Sequence, residues 1–308
     1  MYRQAARGLR PSPISFRKDA ISCVSTPEGA NHQEKSRILA KSTASGKSSV
    51  INQKMKIATY NVNGLRSAIS KGFIDWLKAT DPDMVCLQEI KIQPGQLDFN
   101  IFREIGYEPY LYSAQKKGYS GVAILSKHKP EHVQIGMEHD LYDFEGRCIR
   151  LDFGPWSLIS VYFPSGSSGE ERQAIKIEFL VYFKEYIRSL KKQREKLIIC
   201  GDYNICHQAI DIHNPVSNAR SSGFLPEERA WMQEFIEEGF VDTFRHLNKD
   251  PHNYTWWTFR QGARSRNLGW RIDYAMITDD LTDKLRSAVI LPDAIHSDHC
   301  PVLIEMDL

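Results

Sequence analysis

The stretch HSDHC, residues 296–300, sets four metal-capable side chains within five positions: His296, Asp298, His299 and Cys300. Structural zinc draws its ligands from spaced pairs such as CxxC or HxxxH. No CxxC occurs in the chain, and the dipeptide Cys206–His207 makes a poor second half. Zinc is therefore set aside. A second regularity is more informative. Strand-like runs end in a narrow set of polar residues: KIATY in Asn61 with Asn63 just beyond, MVCLQ in Glu89, SLISV in Tyr162, and KLIICG in Asp202 and Asn204. Asp273 stands at the start of another run in WRIDY, and the turn HSDHC carries Asp298 and His299. Carboxylates and amides at strand mouths are expensive unless solvated or used. One such terminus means nothing, but this set could line a single cleft between two sheets.

That inventory suits metal-assisted hydrolysis of a phosphodiester. A hard cation such as Mg²⁺ takes oxygen ligands, usually one or two carboxylates completed by waters and substrate phosphate. Glu89 with Asp298 or Asn63 would fit. In-line attack needs a base near the water, and Asp202 is the candidate. His299, Asn204, Asn61 and Tyr162 could donate to the phosphate oxygens as charge develops there. Asp273 could fix the His299 tautomer and favour its imidazolium. Plainer readings stand beside these: Asp202–Asn204 as an Asx turn, and Glu89 as a cap for the segment that follows.

The stretch TWWTFRQGARSRNLGWR, residues 255–271, holds Arg260, Arg264, Arg266 and Arg271 among Trp256, Trp257, Phe259 and Trp270, with no acid. Cations interleaved with aromatics suit a phosphate backbone and an exposed base or sugar. A core strand with a solvated Arg face reads equally well from the alternation of Trp257, Thr258 and Phe259. A smaller basic spot, Lys116–Lys117, precedes Tyr119 in GYSG. Lys117, Tyr119 and Arg271 are expected on the substrate side.

These residues need a scaffold. Eight strands are expected, at 56–61, 84–89, 121–126, 148–153, 157–163, 196–202, 272–277 and 301–306, with helices at 66–79, 170–193 and 226–238. Pro226 and the acids after it mark a helix start. Runs such as 148–153 and 157–163, with no helix between, imply antiparallel pairing. The expectation is a four-layer α/β sandwich, two mixed sheets packed face to face under outer helices, in one domain over residues 55–308. The chain has 308 residues, 42% of them hydrophobic, and no apolar run long enough to span a bilayer. Of 40 Lys/Arg and 38 Asp/Glu, ten basic and three acidic residues fall in 1–54, so the remainder is net acidic. Any nucleic-acid contact must rest on a local patch. Residues 1–54 read as a disordered leader, a targeting segment or a mis-assigned start. The six cysteines, several inside apolar runs, suit a reducing compartment.

TYNVNGLRS, VCLQEIK, GYSGVAILS, VYFP, CGDYN, IDIHNPVSN, GFLPEER, WRIDYAMI and SDHCPV follow one another in that order from about Lys56 to the C-terminus. Together they resemble the exonuclease III-type abasic-site endonucleases of the endonuclease/exonuclease/phosphatase superfamily. The resemblance implies the same four-layer sandwich and Mg²⁺-dependent hydrolysis, with Mn²⁺ as a substitute, 5′ to abasic sites in double-stranded DNA. The products would be a 3′-hydroxyl and a 5′-deoxyribose phosphate, with 3′-phosphodiesterase and 3′–5′ exonuclease side activities. It makes Glu89 a metal ligand joined by Asn63, and places Asp298 near the metal. Asp202 activates the water or protonates the leaving group, with Asn204 and Asn61 orienting it. His299, paired with Asp273, contacts the phosphate, and Tyr162 the phosphate or the leaving group. Trp256, Trp270 and Ile272 match a pocket for an extruded base-free sugar, and Asn218 a further phosphate contact. Ser165 departs from the pattern, standing where the family often has Asn. Rival readings keep the cleft for another phosphoester, or make the chain a DNA-binding scaffold, which intact Glu89, Asp202, Asn204 and His299 disfavour. A monomer is expected, in the cytoplasm or nucleoid, or in the nucleus or an organelle of a eukaryote.

Overall fold

The computed structural model describes residues 53–308, so nearly all of the expected leader lies outside the described residues. Twelve strands form two sheets of six. The first runs in the order β11 (Leu285–Ile290), β12 (Val302–Asp307), β1 (Lys54–Asn61), β2 (Met84–Gln88), β4 (Val122–Ser126), β3 (Glu108–Tyr112). The second runs β5 (His132–Ile135), β6 (Cys148–Phe153), β7 (Trp156–Tyr162), β8 (Lys196–Asp202), β10 (Asp273–Thr278), β9 (Phe240–Asp242). Each sheet has one parallel pair at its centre, β1 with β2 and β7 with β8, and antiparallel neighbours outward. A parallel pair needs a crossover, usually helical. Here the crossovers are α1 (Leu65–Ser70) with α2 (Phe73–Thr80), and the long helix α5 (Glu170–Lys191).

Burial explains the layers. Strand β2, MVCLQ, is buried along its whole length, as is β7, because both faces of a central strand are covered. Ile57, Cys86 and Ile124 of the first sheet meet Ile149, Leu158, Ile198 and Cys200 of the second in one apolar core. The outer face of the second sheet packs Ile159, Val161 and Leu197 under Phe179, Phe183 and Ile187 of α5 and Trp231 and Phe235 of α6 (Pro226–Glu237). The outer face of the first packs Ala58, Tyr60 and Leu87 under Leu65, Phe73 and Leu77. Helices, two sheets and helices make the expected four layers.

The differences from the expected elements have physical causes. The single helix at 66–79 is two, broken at Gly72, whose φ of 95° lies in the left-handed region. The break turns Phe73 and Trp76 onto Tyr60 and His296. Strands β3, β5, β9 and β11 were not anticipated, and these are the four sheet edges. Edge strands are short and half-exposed, so they lack a continuous apolar run. Pro109 in β3 is tolerated for the same reason. Cys86, Cys148, Cys200, Cys206 and Cys300 are all free and buried, as small hydrophobes.

Candidate active site

The C-terminal ends of β1, β2, β7 and β8 reach the same pole of the sandwich, and β10 and β12 begin there. Cross-strand register sets Tyr162 beside Asp202, and Asp202 beside Asp273, in one row across the second sheet. Asn61 and Gln88 are paired at the matching end of the first. The chain then leaves each strand sharply: Asn63, Glu89 and Asn204 have φ of 44°, 51° and 52°. Asn tolerates this conformation, but Glu does so rarely, and such outliers persist where the surroundings over-determine them. Together these groups open a cleft of about 420 Å³ lined by Glu89, Tyr119, Tyr162, Ser165, Asp202, Asn204, Trp256, Trp270, Ile272, Asp298 and His299.

Asn61 joins the two sheets at this mouth. Its Nδ2 donates to Glu89 Oε1 and to Asp202 Oδ2, each at 2.8 Å. Asp202 Oδ1 accepts the backbone N–H of Asn204 at 2.8 Å, the Asx-turn geometry, and the Asn204 amide also reaches Oδ2 at 3.3 Å. The turn and the cleft group are thus one and the same residue. Burial, then repulsion from Asp273, pushes the Asp202 carboxyl well above the usual carboxylate range, with His299 and the Asn61 amide opposing.

His299 Nδ1 lies 2.9 Å from Asp273 Oδ2, while Nε2 faces Asp202 Oδ2 at 4.0 Å. Burial works against charge on this ring, yet Asp273, Asp202 and Asp298 outweigh it and raise the imidazole to about 10. At neutral pH it is a cation whose Nδ1–H donates to Asp273, while its Nε2–H points toward Asp202 from beyond hydrogen-bond reach. Burial, then Glu89 and Asp202, drives the Tyr162 phenol well up, so it too stays protonated. Arg147 lies over the Tyr162 ring, 4.9 Å from its centre, and donates to the Tyr162 carbonyl at 2.9 Å.

The oxygen donors form a separate group beside these. Asn63 Nδ2 donates to Asp298 Oδ1 at 2.9 Å, leaving Asn63 Oδ1 free to face Lys91. The Lys91 ammonium contacts that oxygen and lies 2.8 Å from Glu89 Oε2. A cation thus already stands between Glu89 and Asn63, marking a place whose donors are hard oxygens. Asp298 is also held by Trp256 Nε1, which donates to its Oδ2 at 3.1 Å, and by Ser297 Oγ, which donates to its Oδ1 at 3.1 Å. Burial opposes its charge, but His299, Asn63 and Trp256 hold the Asp298 carboxyl below its ordinary value. Donor atoms of Glu89, Asp202 and His299 also fall within 4.8 Å of one another. A cation there would have to displace the His299 proton to use the ring, whereas the two carboxylates are ready-made oxygen donors.

The apolar wall consists of Trp256 and Trp270, edge-to-face at 5.9 Å, backed by Ile272, Ile212, Phe224 and Cys206. On the opposite rim, Tyr119 OH accepts from Arg147 Nη2 at 3.1 Å and Arg172 Nη2 at 2.9 Å, and donates to Glu145 at 3.2 Å. Ser165 lines the cleft with its hydroxyl 2.9 Å from that of Ser167.

Three expected substrate residues do not line the cleft. Arg271 is 1% exposed, with Nε on Asp211 Oδ1 and Nη2 on Asp242 Oδ2, both at 2.7 Å. Its charge is spent on two buried acids, which corrects the substrate contact read from its neighbours. Asn218 braces its own loop through His213 and Asn214 carbonyls at 3.0 and 3.1 Å, and Lys117 is exposed outside the cleft lining. His296 is no ligand but a buried anchor among Tyr60, Phe73 and Trp76. Sequence reasoning missed Lys91 and two further residues of the cleft lining, Arg172 and Ser222. Lys91 stood in plain view two residues after Glu89, whereas Arg172 was masked by the acids of the α5 first turn.

A cleft with a carboxylate facing an imidazolium, hard-oxygen donors and an aromatic wall defines a phosphoester hydrolase on a two-sheet α/β sandwich. The chain belongs to the Endonuclease/Exonuclease/phosphatase family, whose pattern matches residues 58–299. It is 43% identical over 250 residues to an exodeoxyribonuclease of Bacillus subtilis, covering 80% of this chain and 98% of that one. It is 40% identical over 253 residues to the DNA repair nuclease APEX1 of Danio rerio, covering 81% of each. An AP endonuclease from Archaeoglobus fulgidus superposes with a TM-score of 0.75 at 32% identity, over 82% of this chain and 100% of that one.

Proposed function

We propose that residues 55–308 form a Mg²⁺-dependent DNA repair endonuclease that hydrolyses the phosphodiester 5′ to abasic sites in duplex DNA. The products are a 3′-hydroxyl and a 5′-deoxyribose phosphate. The observation that carries the reading is the pairing of an Asp273-held His299 with Asp202 beside an aromatic wall. The relatives' names supply the substrate class, DNA, and their exonuclease names support a 3′ side activity.

Glu89 and Asn63 would hold the metal where Lys91 now stands, with Asp298 steadying Asn63. Bound there, Mg²⁺ would neutralise phosphate charge and polarise the P–O bond. Asp202, fixed by Asn61 and by the Asn204 backbone N–H, orients the water and accepts its proton as the new P–O bond forms. The P–O3′ bond breaks, and the departing 3′-oxygen takes a proton from solvent to become the 3′-hydroxyl. His299 Nε2, the Tyr162 hydroxyl and the Asn204 amide donate to the phosphate oxygens as charge builds on them. Trp256, Trp270 and Ile272 receive a sugar without a base. Extrusion is easiest where nothing is stacked, and a full nucleotide would have to fit its base into the same wall. The test is incision of a duplex with one tetrahydrofuran site in Mg²⁺, Mn²⁺ and chelator. Hydrolysis of an inositol phosphate with intact duplex would replace this substrate, and DNA binding without hydrolysis would make the chain a scaffold.

A further inference from the structure

The segment from Leu291 to Cys300 carries Asp298 and His299, yet it has no regular hydrogen-bond ladder of its own. Backbone carbonyls withdrawn from water must find donors, so the question is what holds this loop. Asp298 O accepts the Trp257 N–H at 3.0 Å, and His296 O accepts Lys71 Nζ at 3.3 Å. Four others converge on one side chain. Arg264 Nη1 donates to Ser297 O at 2.9 Å and His299 O at 3.4 Å, and Nη2 to Pro292 O at 2.8 Å and Ala294 O at 2.7 Å. Its guanidinium is half-buried and stacks over the Trp257 indole, 4.7 Å from the ring centre. Among the described residues no carboxylate pairs with it, whereas Arg147 and Arg172 each pair with Glu145 and Arg271 with Asp211 and Asp242.

The geometry points to Arg264 as a positioning residue: its planar fork clamps the 292–299 loop and so fixes His299 against Asp202. The role rests on the catalytic reading above. It also gives Arg264 a different task from the DNA contact that a basic, aromatic stretch suggests. A guanidinium spans four carbonyls in fixed geometry, while an ammonium offers three donors on a flexible stem. Loss of the fork frees the loop without removing any group that touches phosphate. Misplacement by about 1 Å at a reacting centre is worth roughly 100-fold in rate.

The experiment compares R264A and R264K in the wild-type and H299N backgrounds, with single-turnover incision kinetics and NMR of the histidine ring nitrogens. R264A should lower kcat roughly 10- to 100-fold with KM within about threefold, and R264K should fall between. In the H299N background the same substitution should add less than about threefold, because the two act through one group. The His299 ring signals, identified by their loss in H299N, should shift or broaden in R264A and stay unchanged in R266A, at an exposed neighbour. If R264A does not fold, R264K carries each readout. A raised KM with unchanged kcat would make Arg264 a DNA contact and overturn the clamp, as would an equal loss in both backgrounds or unmoved His299 signals. If the wild-type protein fails to incise abasic duplex, the functional reading falls, and the ring signals still decide the clamp.

Discussion

At the scale of the residue, the cleft buries two titratable groups of opposite demand side by side. His299 is buried among three carboxylates and stays charged, while Asp202, buried beside it, is pushed up by Asp273. His299→Asn keeps a donor but loses the cation and the hold on Asp273. We expect incision to fall by roughly 100- to 1,000-fold, with the folded protein retained by circular dichroism. Unfolding of that variant would make His299 a structural residue instead. Lys91→Ala should shift the metal requirement, because the ammonium competes for the Glu89 and Asn63 oxygens. A lower Mg²⁺ concentration for half-maximal incision is the expected result, read from a metal titration. Much of this was legible in the sequence, since Asp202, His299, Asp273, Glu89 and Asn61 announce themselves by polar types at strand ends. Arg271 misled because a cation's partners, Asp211 and Asp242, are far away in sequence.

At the scale of the element, crossovers and turns aim those residues. Lys176 of α5 is wholly buried, donating to Glu228 Oε1 at 2.6 Å and to the Asn204 carbonyl at 2.8 Å. Glu228 in turn accepts the Gly223 and Leu225 N–H groups at 2.6 and 3.0 Å. One ion pair therefore ties the Asn204 turn, α5 and the start of α6 together. Lys176→Met leaves an uncompensated buried carboxylate and should cost about 3–5 kcal/mol in stability by urea unfolding. Gly223 packs its backbone on the cleft wall at φ 94°, and an added Cβ would stand 2.9 Å from Trp270 Cζ3 and 3.0 Å from the Asn204 carbonyl. Central strands and long helices were visible as apolar runs and period. The edge strands and the Gly72 break were not, because pairing partners and local φ decide them.

At the scale of the whole molecule, two mixed sheets direct their strand mouths to one pole, and charge is buried to hold the far loops there. Asp211 accepts from Arg271 at 2.7 Å and Arg245 at 2.8 Å. Burial disfavours its charge, but the two guanidinium groups win and hold the carboxyl below its ordinary 3.8. The unfolded chain therefore takes up this proton more readily than the folded one. Its contribution is present above about pH 4 and lost as pH falls through the depressed folded value. Chemical unfolding from pH 7 to pH 3 should show stability falling at the acid end, and a flatter acid limb on a lower baseline in Asp211→Asn. No described helix is long and apolar enough to cross a membrane. The most direct measurement of the central claim is incision of a duplex bearing one tetrahydrofuran site, with and without Mg²⁺. The predicted result is a single cut on its 5′ side leaving a 3′-hydroxyl, abolished by chelator and by Asp202→Asn. An intact duplex in both Mg²⁺ and Mn²⁺, from folded protein, would contradict it.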